Sequence, residues 1–275
     1  MAKREPKPKF WNRGNPSPLY DIEVLRPASL PKGKRFETVT DSDQENLRSK
    51  NLLSSTKGGK SVLREYLQEC RDGNYHCYQT FCPRCARTFR RWFIGELLRT
   101  TEEKNSVHIL TVLLEASPSN KIDTLAPNRH RAHLRKRLQD AGLGDIPVIG
   151  GFEMIYRAHE KQWILHINLV IVGATRQALA KFQRSFAAST IERPVVKMPV
   201  KDRPEQLSYV LKFTTYLRPY KQSGARKSQA MPLNAPEHYA LVKWMSQFEF
   251  NDLMFLFNAR RLGPAIELHG RNAQA

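Results

Sequence analysis

No stretch of this 275-residue chain approaches the ~20 consecutive apolar residues that a bilayer-spanning helix requires. The longest apolar run, 164–172, is interrupted by His166 and Asn168. The first residues, MAKREPKPKFW, lack the apolar middle of a secretory signal. These absences lead us to expect a cytoplasmic protein with no membrane partner. Acidic residues are scarce: 26 against 45 Lys and Arg, a formal net charge of +19. An excess of that size points to a polyanionic partner, with nucleic acid as the first choice. An anionic membrane surface is the lesser choice, because no basic amphipathic helix dominates. A merely soluble basic protein is the bland alternative. Cysteine is sparse too, with four in all, and no internal repeat is visible.

The length suits one large domain, or one domain with extensions. Residues 1–60, rich in Pro, Lys, Arg, Ser and Asn, read as a flexible basic arm in which a short element at 19–25 could dock. Residues 61–104 read as a cysteine-rich zinc segment and helix, 105–221 as an ordered core, and 222–275 as a C-terminal loop and helices. Within the core, 107–114 (VHILTVLL) is a buried strand. Residues 128–141 are an amphipathic helix with Leu134 and Leu138 inward, ending at Gly142. Strands follow at 148–158 and 163–172 across a short polar turn. Thr175 can N-cap a helix to about residue 188. The strand at 194–200 carries two prolines, which confine it to a sheet edge. Residues 204–217 read as a helix with proline in its first turn, and 236–261 as one or two more. The order β-α-β-β-α-β places the chain in the α+β class as a ferredoxin-like core, with a zinc-binding N-terminal segment and extra C-terminal helices.

All four cysteines fall within 16 residues: Cys70, Cys77, Cys82 and Cys85. In a cytosol, such clustering favours a metal over disulfides. Cys82-Pro-Arg-Cys85 lets two thiolates grip one tetrahedral ion, and the second pair closes the site, so Zn2+ would be structural. His76 could replace Cys70 or Cys77 in the set, and unligated structural cysteines are the alternative. The following basic and aromatic stretch, 86–93, could track a nucleic-acid backbone or enter the core through Phe89, Trp92 and Phe93.

Two further groups carry chemistry. His166 and Asn168 alternate on one strand and so share a face, with Glu153 on the preceding strand of the hairpin. These three can hold Mg2+ or Mn2+ with positions open to phosphate oxygens; a satisfied polar group on an ordinary strand is the alternative. Glu205, Tyr209, Lys212 and Tyr216 stand at i, i+4, i+7 and i+11, one stripe of a helix. A tyrosine phenol can attack phosphorus, a lysine can offset charge on the phosphate, and a glutamate can act as general base. An amphipathic helix with packed tyrosines is the plain alternative.

Taken together, these segments resemble the HUH endonucleases, specifically the plasmid rolling-circle replication initiators with a single catalytic tyrosine. The resemblance rests on the Cys-Pro-x-Cys segment, the strand with Leu110-Thr111-Val112, the His166-Ile167-Asn168 strand, the Tyr209-x-x-Lys212 motif with Glu205 four residues before it, and Phe257-Asn-Ala-Arg-Arg-Leu-Gly263. It covers roughly residues 70–265. The resemblance implies a metal-dependent enzyme that nicks single-stranded origin DNA. Glu153, His166 and Asn168 would hold the ion, Tyr209 would become linked to the 5′-phosphate, and Glu205 would activate water to end the cycle. Host helicase and polymerase would be its partners. Asn168 stands where the family has its second histidine. A related transposase, and a non-cleaving zinc-stabilised DNA-binding protein, are the alternatives.

Overall fold

Strands rich in Val, Ile, Leu and aromatic residues are the frame of the molecule. The computed structural model describes residues 38–56, 62–72, 76–102, 104, 106–198, 200, 203–213, 216–218 and 231–269. The arm before residue 38, with its 19–25 element, and most of the 222–235 loop lie outside the described residues.

Strand β1 (Val107–Pro118) leads through a 3₁₀ segment to α4 (Pro127–Leu138); it is preceded by α1 (Val39–Ser55), α2 (Val62–Arg71) and α3 (Pro83–Thr101). Then come β2 (Val148–Arg157), β3 (Gln162–Val172), α5 (Arg176–Arg184) and β4 (Val195–Met198). Among the described residues the sheet runs β4-β1-β3-β2, every pair antiparallel. The outer edge of β2 is shared by the short β5 (Tyr216–Arg218), parallel at Tyr156–Arg157 and itself paired antiparallel with β6 (Met231–Pro232), and by β7 (Met254–Phe257), antiparallel at Val148–Gly151. β3 is buried along almost its whole length, as expected of a central strand covered on both faces. As expected, β4 is an edge, and Thr175 caps α5 by accepting from the Ala178 N–H.

The pleat sorts side chains to two faces. Gly150 and Phe152 of β2 and Phe255 of β7 face α4, whose Arg131 and Arg135 lie over the Phe152 and Phe255 rings. The opposite face carries Thr111 of β1, His166 and Asn168 of β3, and Gly151 and Glu153 of β2. It is covered by α3 and by the chain around 207–213.

Three expectations are corrected. The arm expected over 1–60 is helical over Val39–Ser55. α1 is N-capped by Thr38 and buries Asp41, Ser42, Glu45, Asn46, Ser49 and Leu53. Its inward stripe is almost wholly polar, so hydrophobic periodicity is silent about it. The 204–217 helix stops after five residues, as α6 (Arg203–Leu207). The Ser208 hydroxyl donates to the Glu205 carbonyl, and Leu211 (φ 61°) and Phe213 (φ 54°) take left-handed backbone. Leu207, Val210, Leu211 and Phe213 are all buried. The expected C-terminal helices are α7 (Ala235–Met245) and the one-turn α8 (Phe250–Leu253), after which the chain becomes β7 and a hairpin of β8 (Ala259–Leu262) and β9 (Ala265–Leu268). Met254–Phe257 is buried because it completes the free edge of β2.

Candidate functional sites

In the β2–β3 ladder Glu153 stands opposite His166 and Gly151 opposite Asn168; in β1, Thr111 stands opposite Asn168. Register therefore assembles the polar group that the strand pattern suggested. His166 Nε2 lies 3.1 Å from Glu153 Oε2, and Asn168 Nδ2 donates to the same oxygen at 2.9 Å. The Thr111 hydroxyl donates to Asn168 Oδ1 at 2.6 Å. Side-chain exposure is 5% for His166 and 9% for Glu153, so these bonds are sheltered from water.

The segment after α6 closes the cluster. Asn168 Nδ2 also donates to the main-chain carbonyl of Tyr209, at 3.1 Å, and the Lys212 backbone N–H donates to Glu153 Oε1. Gly151 permits this approach: a Cβ there would come within 2.7 Å of the Leu211 side chain. The Lys212 ammonium sits 3.5 Å from the centroid of the half-buried Tyr209 ring. From α3, the Arg90 guanidinium donates to the Ser208 carbonyl at 3.1 Å. Thus Glu153, His166, Asn168, Tyr209 and Lys212 converge. Glu205 stays in α6, and Tyr216 belongs to β5, so the four-residue stripe expected on one helix does not exist. Thr111, Gly151 and Arg90 are the participants that sequence reasoning did not place in the site. A lone hydroxyl on an apolar strand was the available signal for Thr111.

Burial by itself raises the Glu153 carboxyl, but the His166 imidazole, the Lys212 ammonium and the Lys212 N–H outweigh it and hold the group below the ordinary carboxylate range. His166 Nδ1 is buried and has no hydrogen-bond partner. A small cavity lined by Glu153, Phe213, Trp244 and Leu253 adjoins the carboxylate.

The spacing suits a divalent ion only in part. Two ligands at ~2.1 Å and right angles lie ~3.0 Å apart, close to the Glu153–His166 separation. At the third corner Asn168 presents its NH2, held there by two acceptors, while its oxygen is occupied by Thr111. As arranged, the trio is a closed hydrogen-bonded cluster and does not fit Mg2+ or Mn2+.

The cysteines do fit a metal. Cys70, Cys77, Cys82 and Cys85 are buried, with their ligand atoms all within 4.8 Å of one another. Cys70 Sγ and Cys77 Sγ lie 3.6 and 3.7 Å from Cys85 Sγ. A tetrahedron with ~2.3 Å Zn–S bonds has edges of ~3.8 Å, so this group can hold a metal such as zinc. His76 Nδ1 stands 3.9 Å from Cys85 Sγ, beside the four rather than in place of one. The knuckle is tied into the fold. Arg84 donates to the Cys70 and Arg71 carbonyls at the end of α2 and pairs with Asp43 of α1 at 2.7 Å. Asn46 of α1 donates to Cys82 Sγ at 3.7 Å. Hydrogen bonds from Cys77, Cys82 and Cys85 pull the Cys70 thiol far down, whereas burial pushes Cys82 well up. A divalent cation would let all four act as thiolates. After the knuckle, α3 sends Phe89, Trp92 and Phe93 into the core.

No family model matches the chain, and comparisons with curated proteins and with solved structures give no match either. No helix among the described residues is long and apolar enough to cross a membrane.

Proposed function

We propose that the protein is a DNA-nicking initiator of plasmid rolling-circle replication, with Tyr209 as nucleophile. The observation that carries this reading is convergence. The Tyr209–Lys212 segment is hydrogen-bonded onto Asn168 and Glu153, residues 41 and 59 positions away in the chain. The sheet order β4-β1-β3-β2, with α4 and α5 crossing between its strands, supports a ferredoxin-like core of the kind such nucleases share. The +19 charge supports a DNA substrate, and the cysteine group supports a structural zinc.

In the proposed reaction the Tyr209 phenol oxygen bonds to phosphorus and the bond to the leaving 3′-oxygen breaks. The phenol proton ends on that oxygen, giving a free 3′-hydroxyl for the host polymerase, with helicase as a further partner, in the cytoplasm. Lys212, already against the ring, offsets charge on the phosphate. Glu205 is assigned as general base for the water that later releases the 5′-phosphotyrosine. The same chemistry would serve a transposase. A divalent ion, Mg2+ or Mn2+, could join Glu153 and His166 only after Asn168 turned its amide, with Thr111 then accepting from Nδ2. That requirement favours a second reading, a zinc-stabilised DNA-binding protein that does not cleave. Incubation with single-stranded DNA from its own replicon, with either metal, separates them. The nuclease reading requires a covalent protein–DNA adduct on a denaturing gel, lost in Tyr209→Phe and kept in Tyr216→Phe. Salt-sensitive retention with no adduct on any such strand leaves the non-cleaving reading.

A further inference from the structure

The positive charge of the chain is not spread evenly over the described surface. α1 and α2 together carry Asp41, Asp43, Glu45, Glu65 and Glu69 against Arg48, Lys50, Arg64 and Arg71, which is close to balance. On the sheet face remote from Tyr209, α4 and its π turn carry Arg129, Arg131, Arg135, Lys136 and Arg137, and α5 adds Arg176, Lys181 and Arg184. Asp140 is the only acid within these elements, and it pairs with Lys136 at 3.3 Å across exposed surface. Packing needs only Pro127, Leu134 and Leu138 from α4, and Leu179 and Phe182 from α5. Arg129, Arg135, Lys136, Arg176, Lys181 and Arg184 are exposed.

Three of these arginines are also held in place. Arg131 lies 5.2 Å from the Phe152 centroid, Arg135 5.8 Å from Phe255, and Arg137 4.3 Å from Phe186, just beyond α5. The last contact joins the two helices into one surface. A guanidinium resting on a ring keeps its N–H edges outward and loses less rotamer freedom on meeting an anion. None of the exposed large apolar side chains lies on α4 or α5, so the face has nothing to insert into a lipid surface.

We infer that the α4–α5 face is a second DNA surface, one that grips the phosphate backbone of duplex DNA while the Tyr209 face takes the single strand. The inference rests on the DNA reading above and adds to it a face and a strandedness. Phosphate contacts of this sort position a protein on its site and carry little sequence information. An initiator with both surfaces can hold the paired arm of its origin while the unpaired arm lies at the tyrosine.

The test uses the full chain carrying Arg129→Gln, Lys136→Gln and Lys181→Gln, all exposed positions, with Lys50→Gln and Arg64→Gln on the α1–α2 side as the control. Duplex and single-stranded affinities are measured from about 50 to 300 mM salt. Each lost phosphate contact lowers the slope of log affinity on log salt by about 0.9. The triple variant should lose about 2 to 3 in slope and roughly tenfold in duplex affinity at physiological salt, with single-strand binding nearly unchanged. If the triple variant melts early, Arg129→Gln and Lys181→Gln taken singly should each lower the slope by about 1. An unchanged duplex slope, an equal loss on single strands, or an equal loss in the control overturns the inference. Adduct formation is not read, so a protein that never nicks leaves the result interpretable.

Discussion

One amide joins the strand and the tyrosine: Asn168 Nδ2 donates both to Glu153 Oε2, at 2.9 Å, and to the Tyr209 carbonyl, at 3.1 Å. The identity of residue 168 therefore decides two things, where the candidate nucleophile rests and whether the carboxylate is free to meet a cation.

Asn168→Asp keeps the shape and removes both donors. A second carboxylate then faces Glu153 in a buried site and the Tyr209 carbonyl loses its partner, a loss of about 3 kcal/mol at pH 7. Part should return at pH 5, where one carboxyl of the pair takes up a proton. Mn2+ should restore stability further, because two carboxylates and an imidazole make an oxygen-rich ion site. Urea unfolding at both pH values, with and without Mn2+, checks this. Asn168→His, read on the same substrates as wild type, should equal or exceed it in metal-dependent adduct. A variant gaining an adduct that wild type lacks would mark a decayed nuclease.

The Gly151 backbone lies under Leu211, with no room for a methyl group. Gly151→Ala should lift the 207–213 segment from the sheet at a cost of about 1–3 kcal/mol. Any adduct through Tyr209 should fall at least tenfold while bound zinc is unchanged, since the cysteines lie on other elements. Full adduct yield in a destabilised variant would mean the segment need not be seated for attack.

What the sequence revealed followed from how loudly each element announces itself. β1, β2, β3 and α5 were legible because their inward residues are apolar and regularly spaced, and β4 because proline restricts it to an edge. The cysteines were legible because ligand chemistry depends on residue type, whatever the surrounding structure. α1 was not, because its buried face consists of Asn46, Ser49 and their polar neighbours, whose partners lie far along the chain. The Tyr209 segment was misread as a longer helix. Its spacing suits one, but the Glu153 carboxylate and the Gly151 surface draw Leu211 and Lys212 onto the sheet instead. The strand pattern put Glu153, His166 and Asn168 on one face, and the fold brings them together, yet the direction of the Asn168 amide depends on Thr111 and Tyr209, which only the fold brings near.

Cys82→Ser should release the metal from the cysteine group, and elemental analysis should fall from about one zinc per chain to none. The effect should extend beyond the knuckle. Asn46 of α1 donates to the Cys82 sulfur, and Asp43 pairs with Arg84 inside the motif. Amide hydrogen exchange should therefore speed up in α1 as well as in α2 and the start of α3. Exchange in β3 should be little altered. Wild-type protein that carries no metal after careful preparation would defeat the assignment.

His238 of α7 is fully buried and bonded through Nε2 to the Ser49 hydroxyl of α1, at 2.8 Å. Burial, with Arg48 nearby, drives its pKa down to about 3. The folded protein therefore keeps this imidazole neutral at pH values where the unfolded chain, with an ordinary value near 6.5, takes up a proton. Because the unfolded state binds more protons, stability rises with pH through this window and falls as the pH drops below about 6.5. Between pH 7 and pH 5 the loss from this one group is about 2 kcal/mol. His238→Gln can still bond Ser49 but cannot titrate. It should lower stability at pH 7 modestly and reduce the difference between the two pH values by about 2 kcal/mol, the share of this one group. Glu153, with its depressed carboxyl, acts at lower pH, where its stabilisation is lost as it is protonated, whereas the imidazole of His108, also pushed down by burial, adds to the loss in the same window as His238. Denaturant titrations of wild type and His238→Gln at pH 7, 6 and 5 measure the difference directly. Equal slopes with pH in the two proteins would show that the α1–α7 contact opens enough for His238 to be protonated in the folded state.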